Sequence, residues 1–303
     1  MMQHYEEVLN NHLVRKSKKE KQAFISYLQS QFPEIKIEHS KFPENKNLIL
    51  GNVEKANVLL CAHYDTCAQM LVPNFIMPLN PSISILYSFL ITIPIFLAIF
   101  LINLFLNVIT DNFWVHYFVS LIICFISMFI MLCGPANKNN VNDNTSGIIT
   151  LLEIYQNLSN DEKERAAIVL FDNEEKGLLG SAAFRKKYKK QIRNKLMINF
   201  DCVSDGDHIL FAVSKKAHNK YTHTLKESFL FSKEKTILIK KAEKTYYPSD
   251  QVGFPVSIAV AALKHKKHLG YYMNRIHTNR DTILDVRNID FLSKGIINFI
   301  SHI

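Results

Sequence analysis

The sequence predicts an α/β fold: a mostly parallel mixed sheet sandwiched by helices, with an inserted transmembrane helical hairpin. Three observations predict it. Short apolar runs alternate with amphipathic stretches along most of the 303 residues, the pattern of a sheet covered on both faces. Polar residues gather where those apolar runs end, and open α/β sheets place their chemistry at the carboxyl ends of strands. Between residues 68 and 137 the alternation stops, with no Lys or Arg and with Asp111 as the only charge.

Taken in order, residues 1–35 read as amphipathic helix, with Leu9, Leu13, Phe24, Leu28 and Phe32 on the apolar side. The basic run Arg15-Lys16-Ser17-Lys18-Lys19-Glu20-Lys21 interrupts it and reads as a solvated face or as a contact with anionic lipid. Strands are expected at 47–51 and 57–62, the second running into His63-Tyr64-Asp65-Thr66. After the uncharged region, Asn140-Val141-Asn142-Asp143-Asn144-Thr145-Ser146-Gly147 is a polar turn leading into a helix at 148–155. Here Asp143 is a helix cap or a carboxylate over the sheet edge. Ile168-Val169-Leu170-Phe171 is a buried strand followed by Asp172-Asn173-Glu174-Glu175-Lys176-Gly177, and a basic helix opens near 178 and runs to about 191. Further strands fall at 196–200, ending on Asp201, at 209–213 and at 256–263. Helices fall at 217–232 and 288–300, with His277 in the segment between the last strand and the last helix.

Within the uncharged region, residues 82–106 and 113–133 are apolar runs, each exceeding the roughly 20 residues needed to span a bilayer. Asn107-Val108-Ile109-Thr110-Asp111-Asn112 links them, and Tyr87, Trp114 and Tyr117 sit near their ends, where aromatic belts form. Pro94 kinks the first run, which membrane helices tolerate. The expectation is a cell-membrane protein with two spans and a lipid bilayer as partner.

Composition narrows the rest. The formal net charge is +9, but the basic residues are dispersed and lack interleaved aromatics, which argues against nucleic acid as a partner. Five cysteines, two of them inside the apolar runs, make no disulfide framework and suit a reducing compartment. Met1-Met2-Gln3-His4-Tyr5-Glu6-Glu7 does not read as a secretory signal. Together with Lys138 and the basic cluster near the N-terminus, this puts the folded domain on the cytoplasmic face and 107–112 outside.

The polar residues at strand ends are His63, Asp65, Asp143, Glu174, Glu175, Asp201 and His277. Two histidines with several carboxylates suit zinc or a similar divalent ion, and the set is large enough for two ions sharing one carboxylate. Of two adjacent glutamates at a strand end, one can bind metal while its neighbour takes a proton from activated water.

The segments Ala62-His63-Tyr64-Asp65-Thr66, Asn142-Asp143-Asn144-Thr145-Ser146-Gly147, Glu174-Glu175-Lys176-Gly177-Leu178-Leu179-Gly180-Ser181, Asn199-Phe200-Asp201 and Arg275-Ile276-His277-Thr278 resemble the co-catalytic zinc aminopeptidases of metallopeptidase family 28. The resemblance covers about 45–68 and 138–303 and skips the hydrophobic region, so 1–68 and 138–303 are expected to form one discontinuous peptidase domain around an inserted hairpin at 69–137. It implies two Zn2+ per chain, held by His63, Asp143, Glu175, Asp201 and His277, with Asp143 bridging and the Asp143–Asn144 bond cis. It implies Glu174 as general base, Asp65 as the partner that orients His63, and Tyr246 as a hydrogen-bond donor to the tetrahedral intermediate. Gln251 departs from the family, which usually has His there. The implied activity is a membrane-anchored aminopeptidase acting on peptides with a free N-terminus. A single-zinc glutaminyl-cyclase-like acyltransferase and an inert membrane scaffold of the same fold are the alternatives.

Overall fold

The computed structural model describes residues 2–70, 72–232 and 234–303. Helices α1 (Met2–Asn11) and α2 (Lys18–Gln31) precede strands β1 (Lys36–Lys41), β2 (Glu44–Leu50) and β3 (Val58–His63). Two long helices follow, α3 (Pro81–Leu106) and α4 (Phe113–Cys133). The chain continues through α5 (Gly147–Asn157), α6 (Asn160–Arg165), β4 (Ala166–Phe171), α7 (Leu179–Lys187) and β5 (Leu196–Phe200). It ends with β6 (His208–Val213), α8 (Lys215–Ser228), β7 (Thr236–Lys241), β8 (Ser257–Lys266), β9 (Gly270–Tyr272) and α9 (Val286–Ser301).

The strands form one mixed sheet in the order β1-β2-β4-β3-β5-β8-β6-β7, with β9 pairing with β8. Its centre, β4-β3-β5-β8, is parallel, and β1, β2 and β6 add antiparallel pairings towards the edges. The central strands are buried along their whole length, which is why they read as unbroken apolar runs. One face packs on α2, α5, α8 and α9 through Phe24, Leu28, Leu152, Leu225 and Phe299. The other packs Cys61, Val169 and Met197 against Phe184 of α7, Ile192 and Phe254. Truncating Phe299, which is fully buried, to alanine would cost about 3–5 kcal/mol.

Two expectations change. The single helical stretch at 1–35 is two helices, because Ser17 caps α2: its hydroxyl accepts from Glu20 N while the Glu20 carboxylate accepts from Ser17 N. The basic run beside that cap is not a uniformly solvated face. Arg15 is fully buried, and Lys21 is buried with its ammonium 2.5 Å from Asp172 and 2.8 Å from the Asn173 carboxamide oxygen.

Helices α3 and α4 stand away from the sheet. They measure about 39 Å and 32 Å at 1.5 Å per residue, enough to cross a hydrocarbon layer of about 30 Å. Their flanks are open: Phe89 is 66% and Phe129 65% exposed. Between them, Asn103 donates to Ser120 Oγ at 2.9 Å, and its carboxamide oxygen lies 2.7 Å from His116 Nδ1. The root of the pair is sewn into the rest of the chain by main-chain bonds. Ile76 and Met273 exchange two, Tyr246 N donates to Pro78 O, Gln69 N to Pro135 O, and Met70 N to His277 O.

Candidate metal centre at the sheet edge

Because β4, β3 and β5 are adjacent and parallel, their carboxyl ends share one edge of the sheet. His63 is the last residue of β3 and stands opposite Phe171, the last of β4. Glu174 and Glu175 follow β4 by a short turn, and Asp201 follows β5 directly. Asp143 comes from the turn 141–146, which is pressed against β5 where α5 begins. A Cβ on Gly147 would lie 2.4 Å from Asn144 Oδ1 and 2.6 Å from Phe200 O, so only glycine permits that approach. His277 comes from the loop between β9 and α9. The backbone is left-handed at Asn173, Leu178, Cys202 and His277, all in loops that build this edge. Such conformations cost about 1–3 kcal/mol each at non-glycine residues and persist where the surroundings impose them.

These side chains meet. His63 Nε2 lies 3.2 Å from Asp143 Oδ1 and 3.7 Å from Asp201 Oδ1. His277 Nε2 lies 2.9 Å from Asp143 Oδ2 and 3.4 Å from Glu175 Oε2. The two oxygens of Asp143 therefore face different histidines, each accompanied by a second carboxylate. His63, Asp143 and Asp201 present donor atoms all within 4.8 Å of one another, as do His63, Glu174 and Glu175. The Asp143–Asn144 bond is cis.

A second set of residues holds the first. The carboxylate of Asp65 accepts Glu174 N at 2.9 Å and Glu175 N at 3.3 Å. Towards His63 it is the Asp65 main-chain carbonyl that comes nearest, 3.1 Å from Nδ1, with the carboxylate at 3.7 Å. This directs Nε2 to the centre. Asp281 accepts Asn142 N at 2.9 Å and Asp143 N at 3.0 Å. Arg15 lies beneath, donating through Nε to Tyr64 O and through a terminal nitrogen to Thr145 Oγ1. Burial lowers its pKa to about 10, against the pull of Asp65 and Asp143.

Tyr246 is 50% exposed on the rim of the cavity above the centre. Its neighbour Tyr247 is buried and donates from its hydroxyl to Asp201 O at 3.0 Å. Gln251 joins a tie beneath β5: Asn199 donates to its side-chain oxygen, and its amide donates to Tyr247 O. Sequence reasoning missed Arg15, Tyr247, Asp250 and Asp281. Of these, Asp281 had a weak signal, four residues after His277 in a polar segment.

The electrostatics favour a cation. Burial opposes charge on both histidines, but Glu174, Asp143 and Asp201 around His63, and Glu175 and Asp143 around His277, raise both well above the ordinary imidazole value. Burial also opposes ionisation of Asp143, and the two histidines outweigh it and hold its carboxyl below the usual range. Burial, aided by Glu175, Asp250 and Asp201 and opposed by His63, raises Glu174 well above that range. Fully buried Asp250 is pushed up to about 7 chiefly by burial. The Oε1 atom of Glu175 is buried without a hydrogen-bond partner. Carboxylates crowded on two imidazoles need positive charge among them. A divalent ion supplies it while leaving the histidines neutral and free to coordinate. Nitrogen and carboxylate oxygen donors in this mixture fit zinc.

The profile of peptidase family M28 matches residues 129–297, more than half of the chain. The chain belongs to peptidase family M28. Solved structures with the same fold include the LapA aminopeptidase of Legionella pneumophila (13% identity, TM-score 0.56, covering 99% of this chain and 67% of that one). The glutaminyl cyclase of Porphyromonas gingivalis is similar over 99% of this chain and 95% of its own (16% identity, TM-score 0.58). A Zn-dependent exopeptidase from Parabacteroides distasonis is similar over 98% and 94% (13% identity, TM-score 0.56). Comparison with curated protein sequences finds no match. Within the M28 frame, zinc is the metal that both the family and the donor set favour.

Proposed function

We propose that this M28 member is a zinc-dependent aminopeptidase, anchored in a membrane by α3 and α4, that removes the first residue of peptides with a free N-terminus. The carrying observation is Asp143, whose two oxygens face two separate histidine–carboxylate groups. On this reading His63, Asp143 and Asp201 hold one ion, and His277, Asp143 and Glu175 hold the other. When bound, the two ions supply Lewis acidity that makes water a nucleophile near neutral pH. Glu174 takes the proton of the attacking water and passes it to the departing amine. Its burial works in the direction a general base needs, opposing the charged carboxylate. Asp65 fixes the Glu174–Glu175 turn through both main-chain N–H groups. Tyr246, on the cavity rim, donates to the oxygen on which negative charge develops.

The peptidase domain is discontinuous in this proposal, 1–68 with 138–303, and the hairpin at 69–137 is inserted. Lys16 donates to Leu132 O in the last turn of α4, and Lys138 lies just beyond that helix. Both support a cytoplasmic catalytic domain, since basic residues collect at cytoplasmic membrane ends. A glutaminyl-cyclase-like reaction is the competing reading, favoured by the near-complete overlap with the Porphyromonas enzyme. It needs one zinc, and the paired donor groups favour two.

The test is direct. Protein purified in detergent should carry two zinc ions and hydrolyse aminoacyl anilides, with activity abolished by chelator. One zinc with ammonia release from N-terminal glutamine would establish the cyclase instead. Cysteine placed at Thr110 should react with a membrane-impermeant maleimide in intact cells, in a background lacking Cys124 and Cys133, while one at Lys187 should not. The reverse pattern would invert the orientation.

A further inference from the structure

We propose that one face of α3 is the specificity wall of the substrate pocket and that this wall selects peptides with an apolar first residue. The inference rests on the aminopeptidase reading and adds to it the class of substrate.

A cavity of about 190 Å³ lies between the sheet edge and the root of the hairpin. Its floor is the metal centre: His63, Asp143, Glu174, Asp201 and His277. Its opposite wall includes Ser84, Tyr87, Ser88 and Ile91 of α3, with Phe75 and Ile76 from the segment before that helix. Positions 84, 87, 88 and 91 follow the i, i+3, i+4, i+7 spacing of a single helical face. The far side of the same turns carries Leu86, Phe89 and Ile93, which are 59%, 66% and 52% exposed. The helix thus divides its circumference, with one face on the cavity and the other on its surroundings.

The wall is fixed. Ser84 Oγ both accepts from Met77 N and donates to Met77 O, tying the first turn to the preceding segment. Tyr87 donates to Pro73 O and packs edge-on against Phe75, with ring centroids 5.2 Å apart. The paired bonds between Ile76 and Met273, and the bond from Tyr246 to Pro78, lock that segment to the catalytic loops.

Size and chemistry then define the occupant. Pockets for drug-sized ligands run about 300–1,000 Å³, so this one admits a single residue rather than a length of chain. The polar floor suits the ammonium and the carbonyl of a first residue. Phe75, Ile76 and Ile91 leave an apolar space for its side chain. A terminus bound in this way places its α-carbon between floor and wall, with the rest of the peptide leaving through the mouth.

The experiment uses the full-length protein in nanodiscs and compares leucyl with alanyl para-nitroanilide. Removing methylenes from a fitted apolar side chain costs about 10–200-fold in kcat/KM. Wild type should favour leucine by at least about tenfold. Ile91→Trp should erase that preference, Ile91→Ala should shift it towards phenylalanine, and Phe89→Trp on the outer face should leave it unchanged. Binding is read separately by titrating Leu-Gly-Gly and Ala-Gly-Gly into the zinc-loaded Glu174→Gln protein, which should bind the leucine peptide more tightly. Hydrolysis with the same leucine preference in both Ile91 variants would overturn the wall while leaving the aminopeptidase reading intact. Selective binding that responds to residue 91, without hydrolysis of any anilide, would uphold the wall and overturn the reaction. Neither binding nor hydrolysis would overturn both.

Discussion

The sheet edge and the hairpin hold their polar groups in opposite ways. At the edge, the ties that hold Asp143 and Glu174 come from far along the chain. Asp281 grips Asp143 across 138 residues, and Asp65 grips Glu174 across 109. In the hairpin the ties are local, with Asn103 meeting Ser120 across 17 residues and His116 across 13. A centre assembled from distant pieces exists only when the whole fold is right. A local pair needs little beyond its own two helices. Substitutions at the edge should therefore propagate into chemistry, and those in the outer turns of the hairpin, beyond Ile91, should stay where they are made.

The sharpest way to break this contrast is at the base. Glu174→Gln should retain its zinc and lose about 10²–10⁴ in kcat, measured on leucyl anilide beside a metal count. Near-normal turnover with zinc bound would remove Glu174 from the chemistry. One layer out, Asp281→Asn keeps the shape of the side chain but leaves one oxygen to serve two N–H donors. Zinc affinity should fall about 10–100-fold, read by competition with a chelator, while the circular dichroism spectrum is unchanged. Wild-type affinity would show that the long-range tie does not reach the metal.

Smaller effects test stability. Asp285 caps α9, accepting from Arg287 N, and binds Lys235. Burial opposes its charge, but Arg287 and Lys235 outweigh it and hold its carboxyl down at about 2. An unfolded aspartate titrates near 3.9, so between these values the unfolded chain binds a proton that the folded one does not. The contribution of Asp285 is complete above about pH 4 and is lost as pH falls towards 2. Asp285→Ala should cost about 0.5–2 kcal/mol at pH 7, with the difference from wild type shrinking near pH 2 in denaturant titrations. A difference independent of pH would deny the ion pairs their part. The smallest effect belongs to the hairpin: Asn103→Ala should cost about 0.6 kcal/mol and leave kcat unchanged. A fall in kcat would mean that the interhelical contact reaches the pocket.

The same contrast explains what the sequence disclosed. The hairpin was legible from composition alone, and α3 and α4 fall within a residue of the apolar runs read for them. The central strands were legible because burial on both faces makes them apolar throughout, and the residues that end them were legible with them. Strands β1 and β7 were not foreseen, because they form the two ends of the sheet, are half solvated and carry Lys36, Glu38, Lys240 and Lys241. Arg15 was misread for a related reason. A cationic run looks the same whether its first residue meets water or the carbonyl of Tyr64, and only the packing of α2 on the sheet decides which. Tyr247 and Tyr246 are adjacent and chemically identical, so the sequence offered nothing to say which would be buried against Asp201.

On the membrane-anchored reading proposed above, the main-chain bond from Met70 to the carbonyl of His277 bears on any attempt to make a water-soluble form. Excising 69–137 would remove that donor from beside a proposed ligand and strip Met273 and Tyr246 of their backbone partners. It would also open one side of the pocket. A better route keeps the root and the first three turns of α3. It then replaces the outward residues Leu86 and Phe89, and their counterparts on α4, with polar ones. Shortening both helices beyond Ile91 and closing them with a tight turn would complete the change.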